Sequence, residues 1–187
     1  MDKQHLPTDA VLIGRGKQGM VYRISADRCI KFYKNKDHAL MEYTAYRLAE
    51  GSPIIPKLYE YGEDYLVLEF INGHSLKRTL ENTKKISRAE SEQILYIIHE
   101  MKRLGFTRID IALFHIYIHE HTCKIIDLVN SYNKEYPVPK VMLKGLARLG
   151  LLSPFMMHIK DLDSDMYLIW MDHIATRSDR YGDVFAN

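Results

Sequence analysis

Residues 12–31 read LIGRGKQGMVYRISADRCIK, and the fold turns on whether a strand or a helix comes after their glycines. Leu12 and Ile13 end one short apolar run; Met20, Val21, Tyr22 and Ile24 begin another. Between them Gly14, Gly16 and Gly19 fall at G-x-G-x-x-G spacing, a pattern that brings backbone N–H groups close to an anion. Val21 to Ile24 is β-branched and aromatic with no helical stripe, so a strand is expected after the glycines. That disfavours the dinucleotide-binding reading, which needs a helix there. A strand–loop–strand flap is expected instead, with Lys31 on a third strand, Arg28 to Tyr33, beneath it. A cation so placed can meet phosphates that the glycines cover.

The whole chain sets looser limits. Its 187 residues suffice for one domain or two small lobes on one core. A formal charge of +2 with mixed signs gives no long-range attraction to nucleic acid or an anionic membrane, and neither is expected as a partner. No signal peptide is visible, and no apolar run approaches the roughly 20 residues of a membrane span. Cys29 and Cys123 lie far apart, which argues against a disulfide framework and for a reducing, cytoplasmic setting.

Further along, Asn35 to Glu50 reads as a helix with Ala39, Leu40, Ala45 and Leu48 as a partial apolar stripe, and Glu42 on it one turn from Ala39 and Tyr46. Residues 57–61 and 65–71 read as a hairpin around Gly62-Glu63-Asp64. Ser75 to Lys84 is a short helix. Ser87 and Glu90 form a capping box for a longer one, lined by Ile94, Leu95, Ile97, Ile98, Met101 and Leu104 and stopped by Gly105. Residues 106–129 are extended, around a His-Glu-His-Thr turn; helices come next at 138–149, from Ser153-Pro154, and at 163–175. Residues 1–9 are a lead-in and 176–187 a polar, frayed end. His119, Glu120, His121 and Cys123 invite zinc but lack a fourth ligand at zinc-site spacing, so a polar turn is the simpler account.

This order resembles the protein-kinase fold from about Leu12 to Val129. Gly14, Gly16, Gly19 and Val21 match its whole G-x-G-x-x-G-x-V pattern, with Arg15 inside the loop. Lys31 stands in place of the V-A-I-K lysine and Glu42 in place of its helix partner. LVLEFINGHSL resembles the inter-lobe hinge, where Glu69, Phe70 and Ile71 would offer backbone groups to adenine with Leu68 behind it. Asp110 in Arg-Ile-Asp sits where the H-R-D aspartate orients the acceptor hydroxyl, and Asp127 in Asp-Leu-Val where the D-F-G aspartate binds metal. The second metal ligand, asparagine in the family, falls on His115. No A-P-E motif comes after them.

In these departures the chain is similar to small atypical members, the RIO-type and lipopolysaccharide-core sugar kinases. The resemblance implies an α+β, two-lobed fold: a five-stranded antiparallel sheet with one helix over residues 1–72, and a truncated, mainly helical lobe over 73–187. It further implies ATP with Mg²⁺ or Mn²⁺, and transfer of the γ-phosphate to an unidentified hydroxyl, as in a protein serine/threonine kinase. A nucleotide-binding pseudokinase and a purely structural two-lobed protein are the alternatives. Oligomeric state is not legible in the sequence.

Overall fold

The computed structural model describes residues 6–119, 122–133, 135–177 and Tyr181. The start of the lead-in, most of the polar end, and Glu120 and His121 of the zinc reading lie outside the described residues. The fold is α+β. Strands β1 (Val11–Arg15), β2 (Gly19–Arg23), β3 (Arg28–Tyr33), β4 (Leu58–Tyr61) and β5 (Tyr65–Glu69) form one antiparallel sheet in the order β1-β2-β3-β5-β4. Helix α1 (Lys36–Leu48) lies between β3 and β4, and α2 (Leu76–Thr83) and α3 (Arg88–Arg103) come after the sheet. A 3₁₀ turn, Leu113–His115, leads into the hairpin β6 (Ile116–His119) and β7 (Thr122–Ile125). Helices α4 (Lys140–Arg148), α5 (Leu152–Leu162) and α6 (Ser164–Ala175) complete the described chain. A five-stranded antiparallel sheet with α1 beside it is compatible with the first half of the fold that the resemblance implies.

The period-two rule sorts the central strands. Cys29 and Tyr33 on β3, with Leu66 and Leu68 on β5, enter the main core, whereas Ile30, Phe32, Tyr65 and Val67 form a smaller cluster on the other face. Both faces are covered, which explains why YLVLE shows no polar alternation. The sheet ends at Glu69 rather than at residue 71: the Phe70 amide makes one last bond in register, to the Asp27 carbonyl at 2.8 Å, and Asp27 lies in the turn before β3, where the partner strand has ended. Likewise, among the described residues of 106–129 only β6 and β7 are strands.

The capping box at Ser87 and Glu90 is formed, and α3 buries Ile94, Leu95, Ile97, Ile98 and Met101 as its spacing requires. Each such side chain contributes about 1.5–3 kcal/mol by leaving water. Helix α1 differs from the expected stripe. Ala39, Glu42, Ala45 and Tyr46 face inward, while Leu40 and Leu48 are 63% and 61% exposed. A carboxylate, rather than a leucine, sets the rotation of this helix, because Glu42 meets three donors on the inner side. Among the described residues no helix is long and apolar enough to cross a membrane.

One buried polar link ties the loop after α1 to α3. Ser52 Oγ donates to Glu100 Oε1 at 2.7 Å, and Arg103 grips both oxygens at 2.6 and 2.8 Å. The Arg103 hydrogen bonds, with Ser52 assisting, hold the Glu100 carboxyl at about 2, below its ordinary 4.5. A lowered native pKa stabilises the fold above the unfolded value and loses that contribution as pH falls from about 4.5 toward 2. Glu100→Gln is therefore expected to cost about 1–2 kcal/mol at pH 7, after allowance for the exposed Arg103. Urea titrations of both proteins at pH 7 and pH 3 check this; the gap should narrow at pH 3, and a gap that widens would overturn the assignment.

Candidate functional site

Strands β1 and β2 make a hairpin closed by Gly16 N–H donating to Gly19 C=O at 2.9 Å. The three glycines are not equivalent. A Cβ on Gly16 would meet nothing within 4 Å, but one on Gly19 would lie 1.7 Å from the Phe32 carbonyl oxygen of β3. Gly19 is thus required by strand packing, whatever the hairpin covers.

Lys31 lies at the centre of the sheet, paired in register with Val21 on one side and Leu66 on the other. Its Nζ is 2.6 Å from Glu42 Oε2 and 2.9 Å from Asp127 Oδ1. Burial alone would lower the Lys31 pKa; Glu42 and Asp127 outweigh it and hold the ammonium above its ordinary value. Glu42 is fully buried and also accepts the Tyr33 hydroxyl at 2.6 Å and the Leu128 amide at 2.9 Å. Asp127 adopts φ 66°, a left-handed conformation that Asp and Asn tolerate better than other side chains. Its carboxyl sits below the usual range: burial opposes the charge, but Lys31 and then His115 outweigh that opposition. His115 Nε2 is 3.4 Å from Asp127 Oδ2, and burial holds the imidazole pKa below its ordinary value despite that neighbour.

These groups border a cavity of about 590 Å³, a size usual for small-molecule sites. Gly14, Arg15, Gly16, Gly19, Val21, Lys31, Glu42, Leu68, Glu69, His115 and Asp127 all line it. Phe70 and Ile71 do not. The Phe70 amide is spent on Asp27 and its ring lies under the Arg23 guanidinium, 4.6 Å away; Ile71 borders a separate cavity of about 280 Å³. The Glu69 side chain is engaged as well, accepting from the Lys57 amide and from Lys124 Nζ, each at 3.0 Å.

Asp110 borders an adjoining cavity of about 240 Å³, which shares Phe114, His115 and Asp127 with the larger one. Its side chain is 4% exposed and accepts the Val141 amide, in the first turn of α4, at 2.6 Å. Burial raises the Asp110 pKa, against that hydrogen bond and the charges of Arg108, Lys140 and Lys144. The carboxylate thus caps a helix as well as facing the cavity.

Of the lining residues that the sequence reading did not assign to the site, signals were present for Cys29 and Tyr46. Cys29 is two positions before Lys31 on the same face of β3, and Tyr46 is one turn after Glu42 on α1. Of the zinc reading, Cys123 is buried in the core and His119 lies at a strand end. Among the described residues no three His, Cys, Asp or Glu side chains gather as a metal site.

No family model matches the chain. It is similar to a protein of Bacillus subtilis (strain 168) named "Putative serine/threonine-protein kinase YrzF", with 24% identity over 126 residues. The alignment covers 64% of this chain and 59% of that protein, so the chain spans about three fifths of its relative's length. The likeness supports a kinase-like relationship at that coarse level.

Proposed function

We propose that the chain is an ATP-dependent phosphotransferase with a small, two-lobed kinase-like fold, moving the γ-phosphate of ATP to a hydroxyl, as a protein serine/threonine kinase does. The observation that carries the reading is Lys31, held between Glu42 and Asp127 in the same cavity that the glycine hairpin borders. In it Lys31 meets the phosphates and the Glu69 carbonyl serves the base beside Leu68, while Asp110 orients the acceptor from the adjoining cavity. Phosphoryl transfer asks of the protein chiefly positioning and charge neutralisation.

Mg²⁺ takes one or two carboxylates and draws its other ligands from phosphates and water, so the residues present fit it through Asp127, with His115 beside it. Such an ion would neutralise charge on the transferring phosphoryl group. Imidazole suits softer ions, which makes Mn²⁺ an equal candidate. The pseudokinase reading keeps one observation in its favour, the Asp110 carboxylate already occupied by the Val141 amide.

Thermal melting with ATP, with and without Mg²⁺ or Mn²⁺, tests the proposal. At a hundredfold excess over Kd the gain is about 2.7 kcal/mol, or roughly 5–10 °C for a chain of this size. Leu68→Phe, by filling the cavity, is expected to weaken adenine nucleotides about tenfold while the unliganded protein still melts cooperatively. A melting curve indifferent to ATP under every metal condition would remove the nucleotide reading.

A further inference from the structure

The side of the site beyond Asp110 carries more cations than counter-charges. The Arg108 guanidinium is 3.9 Å from the Asp110 carboxylate and 5.2 Å from the centre of the Tyr136 ring. Lys140 Nζ lies 5.2 Å from the same ring. Lys144 and Arg148 succeed Lys140 at one-turn intervals and so share a face of α4. From the end of α6, Arg177 reaches His173 Nδ1 at 3.3 Å. Burial first, then the charges of Arg177, Lys140 and Lys144, keep that histidine's pKa down, so α4 and α6 bring their cations to one neighbourhood.

The acids facing this group are few: Asp110, whose Oδ1 already holds the Val141 amide, and Asp172 beside His173. Among the described residues, Lys140, Lys144 and Arg148 have no carboxylate within 4.0 Å. Elsewhere on the surface, Lys36, Lys77, Arg88 and Arg103 each have an acidic partner. Arg78, Lys84 and Lys85 have no such partner among the described residues either, so what sets this group apart is its place beside Asp110 and around the Tyr136 ring.

We propose that the hydroxyl acceptor is an acidic protein segment, a Ser or Thr flanked by Asp or Glu, held by Arg108, Lys140 and Lys144 next to Asp110. This rests on the phosphotransfer reading. The hydroxyl oxygen bonds to the γ-phosphorus as that phosphorus leaves the bridging oxygen of ADP, and the proton passes to Asp110 Oδ2, the oxygen not engaged with Val141. A nucleic acid fits less well, because Lys140, Lys144 and Arg148 span only about two turns of α4, with Arg108 alone at the cavity of about 240 Å³, instead of following the long track that successive phosphates need.

Fluorescein-labelled serine peptides flanked by acidic, alanine or basic residues separate the possibilities, read both by anisotropy and by phosphate transfer from ATP. The acidic peptide is expected to bind about tenfold or more tightly than the basic one, and less tightly as salt is raised. Lys140→Glu with Lys144→Glu should cost the acidic peptide about tenfold or more, while the ATP-induced melting shift stays as in wild type. Equal binding of the three peptides by wild type would overturn the proposal, and that comparison needs no variant to fold. Displacement of the acidic peptide by a single-stranded oligonucleotide of equal charge at lower concentration would also overturn it. Tight acidic binding without transfer would overturn the acceptor role and the phosphotransfer reading, but not the anion-binding surface.

Discussion

Replacing Lys31 with Met is expected to erase the ATP-induced rise in melting temperature, from roughly 5–10 °C to none. Lys31 is the cation that lies in the cavity between Glu42 and Asp127, and methionine fills similar space without charge. The variant will itself be less stable. Removing one partner of a buried pair costs about 3–5 kcal/mol when nothing else compensates. Here Glu42 keeps the Tyr33 hydroxyl and the Leu128 amide, and Asp127 keeps His115 and is 27% exposed, so the loss should fall toward the lower figure. The informative quantity is therefore the ATP increment, measured against each protein's own unliganded melting point. An undiminished increment in folded Lys31→Met would sink the assignment.

The second large effect separates enzyme from pseudoenzyme. Asp127→Asn should remove metal-dependent nucleotide binding, because the amide is neutral and a poor ligand for Mg²⁺. The substitution is clean, since Asn tolerates the left-handed backbone at φ 66° as Asp does. Asp110→Asn should leave ATP binding nearly intact and lower phosphate transfer by about 10²–10⁴-fold, the usual cost of a lost general base. Its amide oxygen can still accept the Val141 N–H, so α4 keeps its cap. His115→Asn restores the ligand type of the resembled family and should raise activity with Mg²⁺ if His115 only fills space. If imidazole is a ligand instead, wild type should favour Mn²⁺ and lose activity at acid pH. Phosphate transfer by wild type and the three variants, with each metal separately, decides. Wild-type transfer no greater than the Asp110→Asn background, for every acceptor tried, would favour the pseudokinase.

The features legible in the sequence obey local rules. Glycine spacing before a β-branched run gave the hairpin, Ser87 with Glu90 marked the start of α3, and the order of Lys31, Glu42 and Asp127 anticipated the charged cluster. The features that stayed hidden depend on partners distant in sequence. The inward turn of α1 is set by donors from β3 and from Leu128, 86 positions beyond Glu42, so an apolar count favoured Leu40 and Leu48 wrongly. The hinge narrowed to Glu69 because the Phe70 amide is already bonded to Asp27, in the turn just before β3 and more than forty positions earlier. Asp110 as the cap of α4 was hidden for the same reason, since nothing near it announces a helix starting thirty residues later.

The three donors that meet at Glu42 come from β3 and from the residue after Asp127, so α1 cannot swing outward without releasing Leu128. The Leu128 amide proton is therefore a natural clock for that motion. Its exchange with deuterium is blocked while the carboxylate covers it and proceeds only when α1 parts from the loop that carries Leu128. A ligand that draws Lys31 toward its own phosphates and away from Glu42 would change the rate at that one amide, giving a spectroscopic record of how the site loosens or tightens as it fills.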